Sequence, residues 1–580
     1  MPARVVNLTI GRRQVWLARA PGALKDRDLI GFDSTAGPSA VAFVREAEPT
    51  RFVGTRTISF SELDLDDCSG AVRRRSRDLA GSSSCLLGKL DLIKFPRRSG
   101  KREVAGVAER QGLRDVVVVI PGITGSVLTT DDGDVWGLSG RAIMRGIVTL
   151  GRSVDRLRLP EGFGHSLPEH EGEGEADDGI RATGLMSDLH VIPGLWSPIK
   201  GYSALTGFFR DRFEVTPPSE TSPGNLIEFP YDWRLSNVVS ARRLAAAVVP
   251  ALEAWRIQNG DPEAKLVLVC HSMGGLVARW FLEVLGGWEL TRWLITVGTP
   301  YQGASNSLDA LVNGLSKGLG PIRKDLTDLA RSFPSMYELL PTYPCLDIGG
   351  GEMQGLTQAG GLGLDVDMLE SAALFHSRID ENVRKRPDRG YGIVAVKGIF
   401  QPTSQSARVG PDGIEPVQSY GGIDRGGDGT VPRPSAHPPE WGDEGGGMTV
   451  GASQRHATLQ ETEGVLAQLF LRLTGRLGTF MGGQQVAMEL PNLVQAGHPL
   501  VVDVSADEST LGLNATVMHH DEAVPVVDPK LLVNLGEGRY RATFDDLAPG
   551  TYQVTVASAV PTTAVEPVSD LTIVWAPDGG

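Results

Sequence analysis

Ser272 is the residue of this chain best placed to act as a nucleophile. An apolar run, 266–270, and then His271 come directly before Ser272, and Met273, Gly274 and Gly275 follow it. The run predicts a buried parallel strand, and the pattern after the glycines predicts a helix. Strand, tight turn and helix in this order are typical of a nucleophile elbow, which holds a serine hydroxyl above an α/β sheet. The alternative is a serine that caps an ordinary helix, but the small residues favour the crowded turn of an elbow.

A nucleophilic serine needs a base, and in this architecture a histidine supplies it after the acid in chain order. His456 follows the strand-like segment 448–450 and opens the amphipathic run 457–473, which predicts a helix. The base belongs on the loop between the last strand and the last helix, so we predict His456. His437, in a proline-rich loop, is the second candidate.

The acid is assigned to Asp428, which lies in the sequence Gly-Gly-Asp-Gly-Thr. Flanking glycines allow the backbone to turn tightly and direct the carboxylate inward. We expect Asp428 to hold His456 in one tautomer and to stabilise the imidazolium that forms. Asp424 is the competing acid, and a plain Asp-Gly turn is the alternative interpretation.

Two backbone amides are expected to stabilise the oxyanion. One belongs to Met273, the residue after the nucleophile. The other is predicted at Ile123, because the apolar strand 115–120 leads into a Pro-Gly loop in which an amide can approach the developing charge closely. No metal-ligand spacing is recognisable, and the chemistry predicted here needs no cofactor.

The elements that must position these residues indicate an α/β fold. Strands and helices alternate between residues 111 and 475, as a doubly wound sheet requires. We expect the insertion 303–341 to form a cap over the active site. It carries an apolar stripe with two possible roles: it binds an acyl chain or a membrane surface, or it packs on the sheet. The stripe consists of Leu308, Leu311, Val312, Leu315 and Leu319.

Two further regions flank this catalytic region. Residues 1–110 contain short β-like runs and a basic linker, and their fold is not predicted. Residues 480–576 alternate apolar and polar side chains between tight turns, which predicts a β-sandwich similar to immunoglobulin-like or carboxypeptidase-regulatory-like modules. We expect this sandwich to dock a partner, which the sequence does not identify, or to stabilise the protein, and not to take part in catalysis. The pair His519 and His520 is interpreted as a solvated strand end and not as a metal site.

Composition limits the functional classes. The 580 residues exceed one compact domain, and a net charge of −14 argues against a general nucleic-acid binder. Four cysteines fit a reducing compartment. No apolar run is long enough to span a bilayer, and the first residues lack the pattern of a signal peptide. A cytoplasmic location is therefore expected.

Several motifs together resemble the lecithin:cholesterol acyltransferase family, which also includes lysosomal phospholipase A2 and phospholipid:diacylglycerol acyltransferases. They are, in chain order, 117–126, Pro-Tyr-Asp-Trp-Arg at 230–234, His-Ser-Met-Gly at 271–274, 297–300, 331–341, 427–431 and His456. The resemblance covers about residues 111–475. It implies an acyl-enzyme mechanism on lipid esters, with Ser272, Asp428 and His456 as the triad, and it supports Ile123 as an oxyanion donor.

The chain also departs from this family. The animal enzymes close a lid near the first catalytic loop with a disulfide, and the corresponding stretch 128–147 contains no cysteine. The expected function is therefore a serine lipase, phospholipase or O-acyltransferase, with peripheral membrane contact as a further expectation. Two alternatives are a non-catalytic interaction protein on a hydrolase scaffold and an esterase or thioesterase for small substrates.

Overall fold

The computed structural model describes two parts of the chain in different detail. Before residue 110 it gives the backbone of five short strands. After that it describes residues 110–137, 156–160, 178–187, 199–314, 327–349, 352–386, 388–442, 448–475, 484–520, 522, 524–559 and 565–576. The chain divides into two compact units, Met1–Gly106 and Val107–Gly580. The predicted basic linker lies outside the described residues.

The first unit contains a five-stranded sheet in the order β4-β3-β2-β1-β5. Its neighbours pair antiparallel, except that β1 and β5 are parallel. The strands are β1 Val5–Ile10, β2 Arg13–Ala18, β3 Asp28–Phe32, β4 Val41–Val44 and β5 Ser59–Phe60.

The second unit is built on a six-stranded parallel sheet in the order β12-β7-β13-β14-β17-β20. The strands are β7 Val116–Ile120, β12 Leu226–Glu228, β13 Leu266–His271, β14 Thr291–Val297, β17 Gly392–Gly398 and β20 Met448–Ala452. Every residue of β7 and β13 is buried, as expected for strands covered on both faces.

Helices cover both faces of this sheet. Val116 and Val118 point into a core shared with helix α2, whereas Val117 and Val119 point into a second core shared with α1 and α8. The helices are α1 Ser203–Arg212, α2 Asn237–Asn259, α3 Gly274–Glu283, α4 Ser305–Val312, α5 Thr327–Arg331, α6 Pro334–Glu338, α7 Val366–Lys385 and α8 Glu463–Leu473. The predicted α/β-hydrolase architecture of the catalytic region is confirmed.

The cap insertion packs part of its apolar stripe inside the protein, which is one of the two roles predicted for the stripe. In α4, Leu308 and Leu311 are fully buried in the main core, and Val312 packs against it. This part of the apolar stripe therefore packs inside the protein, whereas Leu315 and Leu319 lie outside the described residues. The remaining short strands of this region are β6 Gln111–Gly112, β8 Ser126–Thr130, β9 Gly133–Trp136, β10 Arg181–Leu185, β11 Phe213–Glu214, β15 Leu346–Asp347, β16 Met353–Gln354, β18 Ser406–Gly410 and β19 Gly413–Val417.

The C-terminal region consists of two β-sheets around a separate apolar core. One sheet has the order β21-β23-β27-β26 and the other β22-β29-β28-β24-β25. The strands are β21 Val486–Glu489, β22 Leu493–Gln495, β23 Leu500–Ala506, β24 Leu513–His519, β25 Lys530–Leu531, β26 Val533–Gly536, β27 Arg539–Phe544, β28 Gly550–Ser558 and β29 Val568–Trp575. Inward side chains such as Tyr540 and Phe544 alternate with exposed ones, which is the sandwich pattern.

One helix begins earlier than its apolar pattern suggests. The face that includes Leu244 and Leu252 predicts a helix from residue 241, but α2 begins at Asn237 because the Ser236 hydroxyl accepts a hydrogen bond from the amide of Val238 and caps the helix. In the part of the chain that the structure describes, no helix is both long and apolar enough to cross a membrane.

Candidate active site

Ser272 lies in a strained turn between β13 and α3. Its φ is 52°, a left-handed conformation that is rare for residues other than glycine. The turn is tightly packed, since a Cβ added to Gly274 would lie 2.4 Å from the carbonyl oxygen of Pro121. The amide of Ser272 donates to the carbonyl of Val297 over 2.9 Å, which ties the turn to the neighbouring strand β14. This is the geometry of a nucleophile elbow.

The three residues predicted as a triad form one chain of hydrogen bonds. Nε2 of His456 lies 3.0 Å from Oγ of Ser272, and Nδ1 of His456 lies 2.7 Å from Oδ2 of Asp428. All three residues are buried, with 6% of Ser272 exposed. In this arrangement the imidazole can accept the serine proton while its other nitrogen donates to the carboxylate.

The Asp428 carboxylate is held by its own loop. Its Oδ1 accepts hydrogen bonds from the amides of Thr430 (2.9 Å) and Val431 (2.7 Å), which leaves Oδ2 directed at His456. The backbones of the two residues also meet, because the amide of His456 donates to the carbonyl of Asp428 over 2.8 Å. A Cβ on Gly298, the residue after β14, would lie 3.0 Å from both Asp428 Oδ2 and His456 Nδ1, so the backbone at Gly298 packs closely against this pair.

The two predicted oxyanion donors flank the serine. The Pro121–Gly125 loop abuts the elbow, since a Cβ on Gly122 would lie 2.8 Å from Cβ of Ser272. Within the described residues, the amides of Ile123 and Met273 donate to no backbone or side-chain acceptor. Both residues are buried, so these amides are available to a substrate oxygen without competition from the protein.

The competing candidates lie elsewhere. His437 is buried, and its Nε2 is 2.9 Å from the carbonyl oxygen of Gly442. Asp424 accepts hydrogen bonds from the side chain of Gln405 and the amide of Gly426. Neither side chain joins the chain of hydrogen bonds that ends at Ser272, and each has a structural role in its own loop.

The sequence analysis missed the aromatic side chains that fix the first catalytic loop. The amide of Gly122 donates to the hydroxyl of Tyr202 over 2.8 Å, and the hydroxyl of Tyr231 donates to the carbonyl of Pro121 over 3.0 Å. The indole of Trp136 donates to the carbonyl of Thr124, whose φ is 63°. The ring of Trp136 packs against Trp233, with 5.6 Å between the ring centroids. Tyr231, in the Pro-Tyr-Asp-Trp-Arg block, was the one residue whose sequence motif could have indicated this role.

Several of the side chains that surround the triad are buried. The rings of His271 and His456 are 5.0 Å apart, and Nδ1 of His271 lies 2.9 Å from the Tyr202 hydroxyl. Burial raises the pKa of Tyr202, so this hydroxyl stays neutral. Burial also raises the pKa of the Cys270 thiol, which makes Cys270 a poor nucleophile.

The described residues contain no group of three or more His, Cys, Asp or Glu side chains that could hold a metal ion. His519 stacks on Tyr552 at 4.9 Å between ring centroids, so its ring has a packing role in the sandwich.

Comparison with known proteins gives one family match and several distant structural matches. An uncharacterized protein of Saccharomyces cerevisiae is 36% identical over 78 residues, which span 13% of this chain and 11% of the yeast protein. The structure of the Tle4-Tli4 complex has 15% identity and a TM-score of 0.40, and it covers 63% of this chain and 99% of that one. The lipase BlEst2 of Bacillus licheniformis, in its propeptide form, has 11% identity and a TM-score of 0.30, with 81% and 95% covered.

The family match falls on the centre of the catalytic region. Residues 221–354 match the model of the lecithin:cholesterol acyltransferase family. This segment contains the Pro-Tyr-Asp-Trp-Arg block, the elbow with Ser272 and the whole cap insertion 303–341. The match supports the resemblance inferred from the motifs: within an α/β-hydrolase fold, this segment is similar to the lecithin:cholesterol acyltransferase family.

Proposed function

We propose that this protein is a serine-dependent lipid ester hydrolase or O-acyltransferase. The observation that carries the proposal is the hydrogen-bonded chain from Asp428 through His456 to Ser272, at an elbow beside two unused amides. The lipid ester class is supported by the match of residues 221–354 to the lecithin:cholesterol acyltransferase family.

The chemistry proceeds through an acyl-enzyme. His456 takes the proton of Ser272 as Oγ attacks the ester carbonyl carbon, and a tetrahedral intermediate with an oxyanion forms. The amides of Ile123 and Met273 stabilise this oxyanion, at about 3 kcal/mol for each donor. His456 then gives its proton to the leaving alcohol as the C–O bond breaks, and the acyl group remains on Ser272.

The second half-reaction decides between hydrolysis and transfer. His456 removes a proton from water or from an acceptor alcohol as its oxygen attacks the acyl carbon. The bond between that carbon and Oγ of Ser272 then breaks, His456 returns the proton to Oγ, and a fatty acid or a new ester is released. Both outcomes use the same catalytic residues. They differ in how far water is excluded and in whether an acceptor alcohol binds.

Covalent labelling tests the proposal directly. The full chain is incubated with a fluorophosphonate, and its intact mass is measured. We expect one adduct on the native protein and none on Ser272→Ala. The His456→Gln variant should label at least 10²-fold more slowly, because general base catalysis contributes 10²–10⁴-fold.

His437→Gln is the matched control for the base. Like His456 it is a buried histidine on a loop, but it bonds to the carbonyl of Gly442 and not to the serine. Its labelling rate should equal that of the native chain. A folded native protein that takes up no label, or a Ser272→Ala variant that still takes it up, would contradict the proposal. A labelled protein is then assayed on phospholipid vesicles with and without a long-chain alcohol, which separates hydrolysis from transfer.

A further inference from the structure

The loop that carries His456 is attached on one side to the C-terminal β-sandwich. Ser453 donates through Oγ to the Glu566 carboxylate over 3.0 Å, and Thr458 donates through Oγ1 to the carbonyl of Ser569 over 3.0 Å. Gln454 bonds to the sandwich twice, as a donor to the carbonyl of Pro567 and as an acceptor from the amide of Ser569. The residues around His456 are therefore held by the strand β29 and the turn before it.

The residues next to His456 make the most buried of these contacts. Nε of Arg455 forms an ion pair with Oδ2 of Asp570 at 2.7 Å, and Asp570 is fully buried. Burial raises the pKa of Asp570, and the Arg455 guanidinium acts in the opposite direction. On the other side of His456, Ala457 packs against Leu571, the residue after Asp570.

Arg455 also reaches the loop of the acid. A Cβ on Gly429, the residue after Asp428, would lie 2.8 Å from Cζ of Arg455. The guanidinium therefore lies against the Asp428 loop while Nη1 donates to the carbonyl of Met488 in the sandwich over 3.2 Å. The side chain of Arg455 thus connects the loop of His456, on which it lies, to the loop of Asp428 and to the sandwich.

Gln401 makes a second buried connection of this kind. Its backbone exchanges hydrogen bonds with Gly427, next to the acid (2.9 and 3.1 Å). Its side-chain amide donates to the carbonyl of Ser453 over 2.5 Å and to that of Val486 over 3.1 Å, and its Oε1 accepts from the amide of Met488 over 3.0 Å. The acid loop, the base loop and strand β21 are held in one network.

We propose that the β-sandwich is an integral part of the active site, and that Asp570 is a positioning residue which fixes the base His456 through Arg455. This inference rests on the proposed function and adds to it. A buried ion pair rarely stabilises a protein more than apolar residues of similar size would, so stability alone does not explain Asp570. Positioning does, because a displacement of about 1 Å in a catalytic group can cost about 100-fold in rate.

The test uses the full chain and p-nitrophenyl butyrate, a small soluble ester. Asp570→Asn keeps the shape of the side chain and removes its charge. We expect kcat to fall about 10- to 100-fold while KM changes less than threefold, because the substrate site is intact and the base is misplaced. Arg455→Lys, which keeps the charge, should recover part of the rate lost in Arg455→Gln.

Asp503→Asn is the matched control. Asp503 pairs with Arg541 in the same sandwich at 2.6 Å, but this pair is exposed and joins two strands of the sandwich, β23 and β27, to each other. Its kcat should equal that of the native protein. The double variant Arg455→Gln/Asp570→Asn should lose no more than the worse single variant, because both substitutions break the same contact.

Fluorophosphonate titration distinguishes a misfolded protein from one in which the base is misplaced. It also distinguishes a failure of this inference from a failure of the proposed function. The amplitude of labelling counts competent molecules, and the rate constant reports the position of the base. A native chain that does not label contradicts the proposed function. A labelling native chain together with an Asp570→Asn variant of equal rate constant contradicts the inference, as does a loss confined to the amplitude. Where Asp570→Asn yields no folded protein, Glu566→Gln, which weakens the milder Ser453 contact, should still lower the rate constant.

Discussion

The hydroxyl of Thr299 donates a hydrogen bond to the backbone carbonyl of Ser272 over 2.9 Å. Thr299 is fully buried two residues after the end of β14, and its side chain fills the space that a Cβ on Gly275 would occupy. The strained backbone of the elbow is thus held from the neighbouring strand. The Gly275 position is a glycine because Thr299 needs that space.

Gly275→Ala should therefore disturb the elbow. Its new methyl group would lie 2.1 Å from Oγ1 and 2.5 Å from Cγ2 of Thr299, so the threonine must move and its hydrogen bond to Ser272 is lost. Overpacking of this kind costs about 1–3 kcal/mol. We expect a lower melting temperature and slower fluorophosphonate labelling per folded molecule.

Gly207→Ala is the comparison for that variant. Gly207 lies inside α1, and a Cβ there would meet nothing within 4 Å. Alanine in a helix is favoured over glycine by about 0.5–1 kcal/mol, so this variant should melt slightly higher and label normally. Equal behaviour of the two variants would show that Thr299 adapts without cost.

Asp428→Asn should lower kcat on a soluble ester by roughly 10³- to 10⁴-fold with little change in stability. The asparagine amide cannot stabilise a protonated His456, and it favours the wrong imidazole tautomer. Asp424→Asn is the control, because Asp424 bonds to Gln405 and Gly426 and not to the histidine. A larger kcat loss in Asp424→Asn than in Asp428→Asn would reverse the assignment of the acid.

Local sequence signals were sufficient to suggest the candidate triad. The elbow, the glycines around Asp428 and the strand-to-helix loop around His456 each occupy a few consecutive residues. Because the carboxyl ends of parallel strands meet at one edge of a sheet, such segments converge once the strand order is set. The structure brings Ser272 and the other two side chains into one chain of hydrogen bonds.

Contacts between distant segments could not be predicted in this way. Tyr202 is 80 residues from Gly122, and Gln401 is 87 residues from Met488. Nothing in the local pattern around Asp570 distinguishes it from a polar residue on the solvent face of a strand. Its burial against Arg455 depends on how the sandwich packs on the catalytic region, and an isolated sequence contains no direct signal for that packing.

The Pro-Tyr-Asp-Trp-Arg block forms a buried ionic cluster. Arg234 is fully buried, with Nη2 2.6 Å from Oδ2 of Asp232 and Nη1 2.8 Å from Oδ2 of Asp178. Asp232→Asn removes one charge and leaves the guanidinium with a weaker partner. Removing one member of a buried pair typically costs about 3–5 kcal/mol, and we expect a loss at the lower end because Asp178 remains.

The exposed pair between Arg210 and Glu228 provides the control for Asp232→Asn. It has a similar distance, 2.5 Å, but both side chains contact solvent. Glu228→Gln should change the unfolding free energy by less than about 1 kcal/mol. Chemical denaturation of both variants, followed by tryptophan fluorescence, measures the difference, and equal destabilisation would contradict the role given to burial.

Glu338, the last residue of α6, is a buried acid whose carboxylate lies against the start of α2. Its carboxylate accepts hydrogen bonds from the hydroxyl of Ser236 (2.6 Å) and the amide of Asn237 (2.7 Å). Burial raises the pKa of Glu338 from 4.5 to about 7, and these hydrogen bonds oppose the rise. The folded protein therefore binds the Glu338 proton more tightly than the unfolded chain does.

The stability contributed by Glu338 should consequently fall as the pH rises. Below pH 4.5 the residue is protonated in both states, and between 4.5 and about 7 only the folded protein keeps the proton, so the unfolding free energy decreases across this window. The full decrease is about 3 kcal/mol. The variant Glu338→Gln lacks this group, whereas His376, whose Nε2 lies 2.8 Å from the carbonyl oxygen of Glu338, titrates in both proteins and cancels in their difference. Melting temperatures measured from pH 4.5 to 8 should show the native protein losing stability relative to the variant, and parallel curves would show that Glu338 is ionised in the folded protein throughout.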